Sequence, residues 1–198
     1  MLFFFSKTIF KEEIEVPTPE EIKLLFELSY GTEMYLPIRL AAMCGLRRSE
    51  LCALQWSDVD FKNKTLSINQ ALVPDRNENY VLKSTKSRAG MRKVRIPEPV
   101  LADLKKYRGI GPVVTLKPGQ ISRKFYEIRK KHFKRRIRLH DLRHYYASIM
   151  LLLGIPDKYA MKFIGHSTPD MLKRTYQHIF KNEEAQFLDR IDDYFSTK

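Results

Sequence analysis

The chain contains no apolar run approaching the roughly 18 residues that a membrane-spanning helix needs. Cysteine is nearly absent: of 198 residues only Cys44 and Cys52 carry thiols, and they form no C-x-x-C pair. Buried, reduced thiols in a cytoplasmic protein are therefore expected. The N-terminal stretch MLFFFSKTIFKEE lacks a basic first segment, a long enough apolar run and a small-residue cleavage site, which argues against a secretory signal. Residues 1–15 are expected to be a leader or the truncated N-terminal edge of a domain. Internal repeats, low-complexity tracts and linkers are missing as well. Acid is scarce relative to base, with 23 Asp and Glu against 36 Lys and Arg and a net charge of +13. That excess calls for a polyanionic partner, with nucleic acid first and a membrane surface second.

What is present is a helical pattern interrupted once. In PTPEEIKLLFELS, Thr18 can cap, Pro19 suits the first helical position, and Glu21 completes a capping box. A second helix, MYLPIRLAAMC, stops at Gly45, and a third begins inside RRSELCALQW. After Asp58 the period changes. TLSINQ, YVLKST and RKVRIP read as three short strands, separated by the turn-rich PDRNEN and KSRAG. Helical spacing returns near 98–107, 119–132, 140–153, 156–164, 168–179 and 183–195, punctuated by Gly154-Ile155-Pro156 and Gly165-His166. The expected class is α+β. It is a mostly helical domain over 16–198, with a small three-stranded antiparallel sheet inserted after the third helix.

HDLRH, residues 140–144, concentrates chemistry. On a helix His140, Arg143 and His144 share one face. Two histidines four apart suggest zinc, but Asp141 is one methylene shorter than the glutamate of zinc proteases, and Arg143 would set a fixed cation beside the metal. No metal is therefore assigned. A phosphate suits the same geometry: Arg143 offers a planar fork of donors and His140 adds one from a turn back, with His144 on the flank, packing or meeting solvent. The densest charge, RKKHFKRRIR, leads directly into this motif. Within it Arg129, Lys130, Lys131, Lys134, Arg135 and Arg136 are the candidates for DNA-backbone contact.

CGLRRSEL (44–51), HDLRH (140–144) and FIGHSTPDMLKRTYQHI (163–179) occur in this order. From about Val16 to Tyr194 the chain resembles the catalytic domain of the tyrosine recombinase, or phage integrase, family. The resemblance implies six catalytic residues. Arg47 is the first arginine, His140 and Arg143 the His-x-x-Arg pair, His166 the histidine after glycine, and Tyr176 the nucleophile. Lys86, in TKSRAGMRKVRI, matches a lysine in the turn between two strands. It is preferred to Lys83 and Lys93 because the strand containing Arg92 follows at the family's usual distance. Glu50 matches an acid that is structural in the family. Ile164 stands where Leu is common, and Arg95 where Pro is common; these departures bear on the strand register and hence on the lysine.

The resemblance also implies the reaction. It is site-specific cutting and rejoining of double-stranded DNA through a 3′-phosphotyrosyl intermediate, without metal or cofactor, for integration or excision of a mobile element. Arg47 and Arg143 would form a permanent cationic clamp on the phosphate, Lys86 would protonate the leaving 5′-oxygen, and His140 would accept or position the Tyr176 proton. The partners would be DNA and further copies of the chain, a tetramer on DNA and a monomer when free, with no membrane. A DNA-binding remnant without activity, or a type IB topoisomerase-like relaxing enzyme, is the alternative. The tail helix near 183–195 carries Phe187 and Leu188 on an apolar stripe, suited either to its own domain or to a neighbouring copy.

Overall fold

Thr18 opens the first helix as the sequence suggests. Its hydroxyl accepts from the Glu21 amide at 3.3 Å, and the Glu21 carboxylate accepts from the Thr18 amide at 2.8 Å. With Pro19 at its first position, α1 runs Pro19–Ser29. These features belong to a computed structural model that describes residues 16–85 and 91–165. Residues 1–15, Lys86, His166, Tyr176 and the expected helices 168–179 and 183–195 lie outside the described residues.

Helix α2, Tyr35–Cys44, is apolar nearly all round and runs through the main core, burying Ile38, Leu40, Ala41, Ala42 and Cys44. Gly45 ends it in the left-handed conformation, with φ of 67°. The third helix, α3, is a single turn, Arg48–Leu51. Among the described residues four more helices follow the sheets: α4 Glu98–Lys106, α5 Pro118–His132, α6 Leu139–Leu152 and α7 Asp157–Ile164. Helices α1, α4 and α6 all pack on α2, and α7 packs on α6. The turn at Gly154, φ 68°, followed by Pro156 at the cap of α7, separates the last two as expected. Among the described residues no helix is long and apolar enough to cross a membrane. Both cysteines are buried free thiols.

The sheet follows the third helix and is three-stranded and antiparallel, in the order β1-β2-β5. Its membership differs from the expectation. Val59–Asp60 is β1, Thr65–Ile68 is β2 and Arg92–Arg95 is β5. The expected strand YVLKST is β4, Tyr80–Ser84. It pairs instead with β3, Gln70–Pro74, in a separate two-stranded ribbon. The reason is local. Asp75 accepts backbone bonds from Asn77 and Asn79, and Glu78 takes a positive φ, so PDRNEN closes a hairpin between β3 and β4. The chain thus changes sheet at Asn69, and a two-residue β1 is too short to display a period of two.

Register sets up the site. Leu66 pairs with Val94 and Ile68 with Arg92, so an arginine shares the buried face of the sheet with apolar neighbours. Two hydrophobic clusters result. The larger spans α1, α2, α4, α5 and the sheet; the smaller joins Ala147, Met150 and Leu151 of α6 to Ala160 and Ile164 of α7. Thr18→Ala should cost about 1 kcal/mol of stability in urea unfolding, since it removes one half of the capping box that fixes the start of α1.

Candidate active site

Arg47 leads into α3 and is held by its own helix. The Glu50 carboxylate accepts from the Arg47 amide at 2.8 Å and from its Nη1 at 2.7 Å. Arg47 Nη2 donates to the Gly165 carbonyl at 2.6 Å, 118 residues further along the chain. Glu50 is 2% exposed and receives a second cation: Arg92 Nη1 and Nη2 donate to its two oxygens at 3.0 and 2.8 Å. Burial alone would raise the Glu50 pKa. Hydrogen bonds and charge from Arg92, joined by the Arg47 amide and guanidinium, outweigh it and hold the carboxyl at about 2.

Helix α6 supplies the other half. Asp141 accepts from the Arg138 amide at 2.7 Å and pairs with its guanidinium at 3.2 Å, so this acid serves the start of its helix. One turn further in, Arg143 is 0% exposed. Its Nη1 donates to the Gly45 carbonyl and its Nη2 to the Ile164 carbonyl. Its Nε is buried with no hydrogen-bond partner among the described residues. Burial lowers the Arg143 pKa first, and the charge of Arg47 adds to that, with Glu50 opposing. A guanidinium keeps its proton in a protein. The downward direction thus reflects burial of this cation beside a second guanidinium.

The contact to Gly45 needs a glycine. A Cβ there would fall 2.3 Å from the Tyr146 ring, so only the bare backbone lets α2 meet α6 closely. Tyr146 thus packs rather than reacts, and burial raises its pKa. His140 is exposed at the rim, its ring edge-to-face with that of His144 at 4.8 Å between centroids. Desolvation against its neighbours lowers the His140 pKa first, then the Arg143 charge, against a smaller opposite pull from Asp141. His144 is buried, so of the two expectations for it packing holds and solvent does not.

Arg47, His140 and Arg143 are therefore brought together, and three consecutive carbonyls at the end of α7 join the group. Phe163 accepts from Arg92 Nε at 2.9 Å, Ile164 from Arg143 and Gly165 from Arg47. A helix C-terminus favours such cations. Lys86, His166 and Tyr176 lie outside the described residues; β4 and β5, on either side of Lys86, belong to different sheets. In the basic run, Lys130, Lys131, Lys134 and Arg136 are exposed, and the Arg129 guanidinium lies 5.0 Å over the Tyr126 ring. Arg135 is engaged inside the domain. Its guanidinium bonds the Glu21 carboxylate and the Val16 carbonyl, which ties the run to α1.

Sequence reasoning gave Arg92 no role, although a signal was there. In RKVRI the alternation that buries Val94 and Ile96 also turns Arg92 inward. The meeting of Gly45 with Tyr146 left no such signal, because it joins residues about a hundred positions apart.

This fold, a helical domain with an inserted antiparallel sheet, matches known proteins. A family model described as the phage integrase family matches residues 15–183. The chain belongs to that family, the tyrosine recombinases, and corresponds to their catalytic domain. It is 26% identical to a XerC-like tyrosine recombinase of Caldanaerobacter subterraneus subsp. tengcongensis, over 92% of this chain and 55% of that protein. It is 30% identical to a putative prophage phiRv2 integrase of Mycobacterium tuberculosis, over 75% of this chain and 43% of that protein. The chain thus spans about half the length of the curated relatives it matches. Its fold superposes on the Tn1549 transposon integrase, solved in complex with transposon right end DNA. The TM-score is 0.71 and the identity 20%, covering 91% of this chain and 67% of that one.

Glu50 has a testable signature. Its pKa falls from 4.5 to about 2 on folding, so its contribution is fully present above pH 4.5 and is lost as pH falls through 2. Glu50→Gln should lower stability at neutral pH by about 3 kcal/mol. Urea unfolding at stepped pH should show that gap closing across the same interval.

Proposed function

We propose that this chain is the catalytic domain of a site-specific recombinase that cuts and rejoins double-stranded DNA for a mobile element. The supporting observation is Arg143, a fully buried guanidinium beside Arg47. Its partners among the described residues are two carbonyls and no carboxylate, and its Nε has none. Such a cation stands ready for an anion, and a phosphodiester is the anion its fork fits.

In this reading the Tyr176 oxygen attacks the scissile phosphorus. A 3′-phosphotyrosyl bond forms, the bond to the 5′-oxygen breaks, and the 5′-hydroxyl leaves carrying a proton from Lys86. His140 takes the phenol proton, and His166 gives a further donor to the phosphate. Arg47 and Arg143 meet the negative charge that grows on the non-bridging oxygens. The phosphoryl bond energy is kept in the covalent intermediate, so another strand's 5′-hydroxyl can reverse the step without a cofactor. The exposed cations Lys130, Lys131, Lys134 and Arg136, with Arg129, suit contact with the DNA backbone. Arg135 contributes by fixing that run to α1. Residues 16–198 act as one catalytic unit, monomeric when free and tetrameric on DNA. The two buried thiols suit a reducing, cytoplasmic setting.

A nicked suicide duplex carrying the recombination site tests the chemistry. The wild-type chain should form a covalent protein–DNA adduct on a denaturing gel, and Tyr176→Phe should form none; an adduct that persists in the variant overturns the reading. The pH profile tests His140 separately. Since its pKa is lowered, the imidazole stays neutral and able to accept a proton below the ordinary value of about 6.5. Adduct formation should therefore hold its rate as pH falls through that value and decline only further down.

A further inference from the structure

Arg92 is a charged side chain on the buried face of a strand, 2% exposed, and hence out of reach of DNA. Each of its three guanidinium nitrogens donates a hydrogen bond. Nε reaches the Phe163 carbonyl at 2.9 Å, and the two Nη atoms take one oxygen each of Glu50 at 3.0 and 2.8 Å. The same two oxygens hold Arg47, one by its amide and one by its guanidinium. The carboxylate that aims Arg47 is thus itself aimed by Arg92. At its other bond, Arg92 grips the residue next to Ile164 and Gly165, whose carbonyls carry Arg143 and Arg47.

Charge adds a second argument. Arg47 with Glu50 alone would be a neutral pair, and its pull on a phosphate would largely cancel. Arg92 shares the carboxylate, so the trio carries a net positive charge while each group remains hydrogen-bonded. A site built only for packing would place an aliphatic residue beside Val94, since burying an ion pair stabilises little against well-packed apolar groups.

We propose that Arg92 is a positioning residue of the phosphate clamp: through Glu50 it orients Arg47 and keeps that guanidinium cationic towards DNA, and through Phe163 it fixes the α7 terminus that carries Arg143. This rests on the recombinase reading above. The effect is specific to a charged phosphate, which separates it from a general loss of structure.

The test uses a nicked duplex selected by covalent capture with the wild-type chain from a randomised library. It is made twice, once with the scissile phosphodiester and once with an uncharged methylphosphonate in its place. Single-turnover cleavage at saturating duplex is read for wild type, Arg92→Gln and Arg92→Lys, at a temperature where circular dichroism shows each one folded. On the phosphodiester, Arg92→Gln should slow cleavage by about tenfold or more while the duplex Kd stays within about threefold. On the methylphosphonate its defect should shrink to about threefold or less, because the charge the clamp serves is gone. Arg92→Lys restores the charge without the fork, so it should recover part of the loss. If Arg92→Gln does not fold, the same contrast between the two duplexes is read on Arg92→Lys. Equal slowing on both duplexes, or a defect confined to Kd, overturns the positioning role and leaves the recombinase reading intact. Failure of the wild-type chain to capture any duplex through Tyr176 overturns the reading itself, and this inference with it.

Discussion

The site depends on one carboxylate shared between two guanidiniums. Glu50 accepts from Arg92 with both oxygens and from the amide and side chain of Arg47. Remove it, and Arg47 loses its anchor at the start of α3 while Arg92, on the buried face of a sheet, loses the carboxylate that both of its Nη atoms bond. Breaking a buried pair costs more than the pair contributes, because the remaining charge has nowhere to go. The low pKa of Glu50 reflects the same fact from the side of the proton. Helix α3, strand β5 and the end of α7 are thereby fixed to one another by polar bonds, where apolar packing would allow sliding.

Around that pair the chain gathers three arginines at a single helix end. Phe163, Ile164 and Gly165 each offer a carbonyl to a different guanidinium, and the C-terminal dipole of α7 favours all three. Among the described residues, one carboxylate and four carbonyls, Gly45 being the fourth, accept hydrogen bonds from these three cations. Arg143 is the most deeply buried of the three, and burial first, then the Arg47 charge, pulls its pKa down. In the proposed reaction, which needs no bound cation, such a surplus would be useful: the field that meets the phosphate is built in before the phosphate arrives. Its cost is borne by the surrounding core, chiefly the contacts of α2 with α6 that Gly45 and Tyr146 make possible.

Much of this was legible in the sequence, and the parts that were not share a cause. Thr18 with Glu21, Gly45 and Gly154 marked helix ends because their signals are local, confined to a few consecutive residues. Arg47, His140 and Arg143 were legible because three short motifs occurred in a known order, and the structure brings these residues together. The strand pairing was not, because pairing is decided between segments: Val59–Asp60 gains its place only by lying beside β2. Arg135 looked like one cation among many in a basic run, yet its partner Glu21 lies over a hundred residues earlier. His144 looked like a flank residue because its helix position is known from sequence, but what covers that face is not.

The same distinction governs how the clamp meets its ligand. A guanidinium has five N–H donors. Arg143 spends two of them on Gly45 and Ile164. A phosphate can therefore bind the remainder without evicting either carbonyl. It must, however, uncover a side chain that is fully enclosed here. Arg47 is already partly open, with 34% of its side chain exposed, so it is the first of the two that an approaching phosphate meets. In the proposed reaction the order of contact would then follow burial, Arg47 first and Arg143 after it. Both arginines also hold the end of α7, at Ile164 and Gly165, so a shift of either guanidinium is felt at that helix end.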